Sequence, residues 1–158
     1  MKKIVLIFLI FFQSNFTQGQ NVITPPNMDI EEVILVQKTV INFICDSNIT
    51  IIINPSCPLH PSIDGVTFQI KHNYYIIEIS GHINSKSERK WTLLHELGHV
   101  VDMHEGYLNQ YPPKWMGKKI NFQLPWEYRP WEISADMWAS TMWEALVNEP
   151  PPYIIWKK

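Results

Sequence analysis

Helical spacing comes first along the chain. Ile30, Val33, Ile34, Val40, Ile41 and Ile44 fall at helical spacing behind Asp29, a candidate N-cap with Glu32 at the third helical position. This predicts a helix ending near Asp46-Ser47-Asn48, although its many β-branched residues leave a strand pair as the alternative. Ile49 to Ile53 is a short, almost wholly apolar run stopped by Asn54-Pro55, which reads as a buried strand. Val66 to Ile70 alternates apolar and polar, and Tyr74 to Ser80 follows after Lys71-His72-Asn73, so the two predict a hairpin. A second helix is expected from Ser85 to Glu105, with Ser85 and Glu88 as a capping box and Gly106 just past its end. Pro130 suits a first helical position, and Trp131 to Val147 holds no glycine or proline until Pro150-Pro151-Pro152. The order predicts an α+β domain: an N-terminal helix, a short mixed or antiparallel sheet, and two further helices.

Two stretches lack a period. Asn21 to Met28 is polar, carries Pro25-Pro26, and reads as an extended lead-in. Gly106 to Arg129 is long but rich in aromatic residues, which fits either a wall of a binding cleft or a loop capping the core. Tyr153 to Trp156 is an apolar tail expected to dock on the surface. If Tyr74 to Ser80 forms the sheet edge, its unpaired backbone groups can take an extended peptide as an added strand.

The chemistry lies in the second helix. His95-Glu96-Leu97-Gly98-His99 puts two imidazoles a turn apart on one face, where both can hold one metal ion. Glu96 can then flank the ion and reach a water molecule without ligating, the arrangement of zinc hydrolases. The alternative is a pair of core histidines bonded to backbone. A catalytic zinc site needs a third protein ligand. One class of zinc proteases would place a glycine and a histidine where this chain has Asp102 and Glu105, so that class is excluded. Asp102 shares the histidines' face but lies a further turn along. Glu132 is the better candidate, with Asp136 four residues on and therefore on the same face. One carboxylate can ligate while the other accepts a ring N–H of a ligating histidine.

His95-Glu96-Leu97-Gly98-His99 followed by Glu132-Ile133-Ser134-Ala135-Asp136 resembles the gluzincin branch of the zincin metallopeptidases. In compactness the chain is similar to the minigluzincins and to metallopeptidase-like domains of the ImmA/IrrE group. The likeness covers Ser85 to Val147; before Ser85 only the order of elements agrees. It implies a small zincin-like domain holding one Zn2+ through His95, His99 and Glu132. It also implies Glu96 as general base and Asp136 as partner of a ligand histidine. Peptide bonds of a peptide or protein substrate would be hydrolysed by zinc-bound water. No counterpart of the family's oxyanion-steadying tyrosine or histidine stands out, so Tyr128, Arg129, Tyr107 and His104 are candidates by proximity in sequence alone. The competing expectation is a zinc-stabilised binding protein with the same fold and no activity.

Composition sets the setting. The 158 residues, 46% hydrophobic and 18% charged, make one ordinary globular domain's worth. Residues 1–20 are set apart, because Lys2 and Lys3 precede the apolar run Ile4 to Phe12 and a polar stretch ending near Gly19. That is the layout of a signal peptide, with an uncleaved anchor as the alternative, so residues 21–158 are expected as a secreted or periplasmic domain without stable membrane insertion. Without Lys2 and Lys3, eleven basic side chains face fifteen acidic ones, a net charge of −4 with no basic cluster, which argues against nucleic acid. In an oxidising compartment Cys45 and Cys57 are expected to form a disulfide; two unpaired thiols are the alternative.

Overall fold

The computed structural model describes residues 21–152; the proposed signal segment and the apolar tail from Tyr153 lie outside them. The order of elements is β1 (Asn21–Ile23), α1 (Ile30–Thr39), β2 (Thr50–Cys57), β3 (Gly65–Lys71), β4 (Tyr74–Ser80), α2 (Lys86–His104), β5 (Leu108–Gln110), β6 (Pro113–Trp115), β7 (Lys118–Lys119) and α3 (Pro130–Leu146). The domain is α+β, as the pattern predicts.

The main sheet is mixed, in the order β1-β2-β4-β3. The first three strands run parallel, and β3 runs antiparallel to β4 at one edge. Ile51, Ile53, Tyr75 and Ile77 are fully buried on one face, and Ile52 and Ile76 between them are half-buried on the other, so β2 and β4 read as apolar runs although only one face is fully covered. Two expectations change. The lead-in contains β1, too short at three residues to show a period. Tyr74–Ser80 is an inner strand, and the edge is Gly65–Lys71. The hairpin between them turns through Asn73, whose φ of 60° suits an asparagine.

α1 begins at the expected cap, with the Asp29 side chain accepting from Glu31 N at 2.9 Å. Glu32 reaches away from that cap and receives Arg89 of α2 through two bonds of 2.9 and 3.3 Å, which ties the two helices together. After Thr39 the helix widens into a π turn, Val40–Ile44, closed by Cys45 in the left-handed conformation. The disulfide does not form. Cys45 and Cys57 are free thiols, each donating to a carbonyl of its own segment: Cys45 to Ile41 O at 3.2 Å and Cys57 to Asn54 O at 3.6 Å.

α2 packs between the sheet and α3, and Leu93, Leu94, Leu97 and Val100 are at most 1% exposed. Its ends are as read from the sequence: Ser85 Oγ accepts from Glu88 N, and Gly106 takes φ +77° one residue past the C-cap. The long aromatic segment is more ordered than its lack of period suggests. It contains a three-stranded antiparallel meander, β5-β6-β7, and a 3-10 turn at Trp126–Tyr128. Strands of two or three residues are too short for alternation to show. Among the described residues, no helix is long and apolar enough to cross a membrane.

Candidate metal centre

Three potential ligand side chains converge where α2 crosses α3. At the crossing a Cβ on Gly98 would lie 2.9 Å from the Cα and carbonyl oxygen of Ala135 and from Cβ of Trp138. Only a hydrogen at that position lets the two backbones approach so closely. The approach brings Glu132, one turn before Ala135, over the histidines of α2. Glu132 Oε2 lies 3.2 Å from His95 Nε2 and 3.3 Å from His99 Nε2, and the two rings meet edge to face with centroids 4.8 Å apart. All three ligand atoms fall within 4.8 Å of one another, which suits a single divalent ion.

Neighbouring groups orient these atoms. Asp136 Oδ1 sits 2.9 Å from His95 Nδ1, which holds the ring proton there and turns Nε2 to the centre. The Trp131 indole donates to Glu132 Oε1 at 2.9 Å, leaving Oε2 for the imidazoles. Burial disfavours charge on His95, but the bonds to Asp136 and Glu132 prevail and raise the ring's pKa to about 10. Burial likewise works against charge on Glu132, yet both histidines together hold its carboxyl well below the usual range. Three groups so disposed bind a proton tightly when nothing else occupies the centre. A divalent cation satisfies the same donors, so the residues fit zinc.

Glu96 stands apart from the three ligands. Its Oε2 accepts from Thr67 Oγ1 at 2.8 Å, and the same hydroxyl lies 3.1 Å from the Glu96 carbonyl. A Cβ on Gly65 would sit 2.7 Å from Glu96 Oε1, so the edge strand passes directly over this carboxylate. The strand is also turned over relative to its pattern. Thr67 is buried at 4% exposure, while Phe68 and Ile70 face outward at 38% and 59%. Thr67 faces inward here because α2 presents it a glutamate.

The remaining candidates are placed as follows. Asp102, fully buried, accepts from Ser134 Oγ and Trp138 Nε1, so it braces α3 and takes no part in the ligand set; burial raises its carboxyl pKa. His104 faces Asp46 at 3.6 Å and stacks on His72, at the far end of α2. Arg129 donates to the carbonyls of Leu124 and Phe122 and thereby braces the loop before α3. Tyr107 and Tyr128 are exposed, and neither bonds to the ligand set among the described residues. Trp126 does reach the site, lying over His95 with centroids 5.9 Å apart and planes 23° from parallel. Beside Trp126 and Asp136 an open groove of about 540 Å³ runs along α3 past Ile133, Met137 and Ser140.

Thr67, Trp131 and Gly65 have roles that the sequence reading did not assign. The available signal was the inverted alternation of Val66 to Ile70, which makes sense only once a polar group is known to face that strand. No known family, no characterised protein and no solved structure matches this chain.

Proposed function

We propose that the protein is an exported zinc-dependent metallopeptidase of gluzincin type, with His95, His99 and Glu132 as ligands and Glu96 as general base. The observation that carries this reading is the approach of Glu132 Oε2 to both Nε2 atoms, with Glu96 held outside the triangle. Bound there, zinc would act as a Lewis acid, making water acidic near neutral pH and polarising a carbonyl oxygen.

The chain's own groups account for the rest. Glu96, its second oxygen steered by Thr67, takes a proton from water and delivers it to the leaving amine. Asp136 keeps His95 in one tautomer, and Trp131 keeps Glu132 presenting one oxygen. Trp126 covers one face of His95 and limits access of bulk water to that ring. Export follows from residues 1–20 as read in the sequence.

The test is Glu96→Gln. Gln preserves the shape and still accepts from Thr67, so the variant should keep about one zinc per chain while peptide hydrolysis falls by about 10²–10⁴-fold. Full hydrolysis by Glu96→Gln, or no cleavage of a peptide library by zinc-loaded wild type, contradicts the proposal.

A further inference from the structure

The edge strand beside Glu96 is already partly occupied. Register and bonding fix which of its backbone groups point outward. Ser80 N donates to Asp64 O, and β3 pairs with β4 from Gly65↔Ile79 through Gln69↔Tyr75, so residues 64, 66 and 68 bond inward to β4. Gly65, Thr67 and Gln69 therefore turn their N–H and C=O groups away from the sheet. Two of these groups are taken by one side chain: Gln69 N donates to Gln110 Oε1 at 2.8 Å, and Gln110 Nε2 donates to Thr67 O at 2.8 Å. Gln110 closes β5, which runs from the end of α2, where Tyr107 N donates to Asp102 O at 2.8 Å. A primary amide bonded through both its oxygen and its nitrogen does here what a peptide group of an added strand would do.

We propose that Gln110 terminates the strand-pairing edge and so limits how far a substrate can extend on one side of the metal centre. An extended peptide lying along β3 can use the N–H and C=O of Gly65 and the N–H of Thr67, the groups nearest Glu96. Beyond Thr67 it meets the Gln110 amide. The substrates that fit are peptides whose bond at Glu96 lies within about two residues of one chain end, with the other flank unrestricted. The length limit itself is a matter of strand pairing; only the statement about the cleaved bond rests on the hydrolase reading above.

The experiment uses zinc-loaded full-length Glu96→Gln protein, which holds peptides without turnover, and dye-labelled peptides of one sequence lengthened a residue at a time on either flank of a fixed central pair. Anisotropy titrations should show affinity growing with length on one flank and flat beyond about two residues on the other. Adding Gln110→Ala frees Thr67 O and Gln69 N, and affinity on the flat flank should then rise by about tenfold, as two modest hydrogen bonds allow. Gln110→Glu retains the acceptor for Gln69 N and loses the donor to Thr67 O, so it should give part of that gain even where the alanine variant folds poorly. Hydrogen exchange at the Gln69 amide should quicken in Gln110→Ala and not in Gln110→Glu. Equal growth on both flanks with Gln110 present, no dependence on length, or a limit unmoved by either substitution overturns the proposal. Loss of the hydrolase reading has a different signature: no cleavage by zinc-loaded wild type, with the asymmetric binding intact.

Discussion

The two sides of this centre are built by different means. On the helix side, Gly98 and Ala135 bring two backbones into contact, and His95 and Glu132 are each held by a neighbouring side chain, Asp136 and Trp131. On the strand side, Glu96 is held by one threonine hydroxyl under a strand edge that a glutamine side chain covers. The first side is rigid because its geometry is that of close-packed helices. The second is a polar arrangement at an edge, where single hydrogen bonds set position. Metal binding is thus expected to depend on the seam, and the treatment of substrate on the edge.

The largest break in that contrast should come from Gly98→Ala. The added methyl would meet Ala135 and Trp138 at 2.9 Å, so α3 must shift and carry Glu132 with it. A loss of about 1–3 kcal/mol in thermal or denaturant unfolding is expected, together with weaker zinc binding; unchanged stability and metal content would show that the seam is not tight.

Next in size is the pH dependence of the metal. His95, raised to about 10, carries a proton at neutral pH when the metal is absent, whereas Glu132 is already ionised. Zinc must displace that proton, so binding should release about one proton and tighten about tenfold per pH unit between pH 7 and 9. Calorimetry in buffers of different ionisation enthalpy reads the release, and binding without proton release contradicts it. The metal-free fold behaves in the opposite sense. Stability from charged His95 is fully present below its ordinary value of 6.5 and is lost as pH rises through about 10. Stability from ionised Glu132 is present above 4.5 and is lost as pH falls.

Thr67→Val should have the smallest effect. It removes one hydroxyl at near-constant shape, costing about 1 kcal/mol, with zinc content unchanged and hydrolysis reduced. A change in zinc affinity instead would join the two sides into one unit.

This division also explains what was legible in the sequence. His95, His99, Glu132 and Asp136 can be read because the α-helix has a fixed pitch, so spacing of one and four residues translates into geometry. The crossing itself was signalled only by a glycine inside a helix. Strands carry less information. An alternating run such as Val66 to Ile70 gives two faces without saying which is buried, and here the polar one is. Tyr74–Ser80 comes last among the sheet strands before α2, which makes it a candidate edge by sequence order, whereas β3 lies outside it because the chain returns from the edge by a hairpin. Gln110 lies 41 and 43 residues from its partners in a three-residue strand, so nothing local announces it. The cysteines misled for a similar reason: shared compartment and short separation say nothing of direction, and each thiol faces its own segment.

Under the proposed function, two imidazoles and one carboxylate hold a single zinc ion across the helix seam. X-ray absorption at the zinc edge of the purified full-length protein measures this directly. The predicted spectrum has only nitrogen and oxygen neighbours at about 2.0–2.2 Å, with outer-shell scattering from two imidazoles, and reverts to loosely held, water-only coordination in Glu132→Ala. Sulfur at about 2.3 Å, or the same wild-type spectrum after Glu132 is removed, would contradict it.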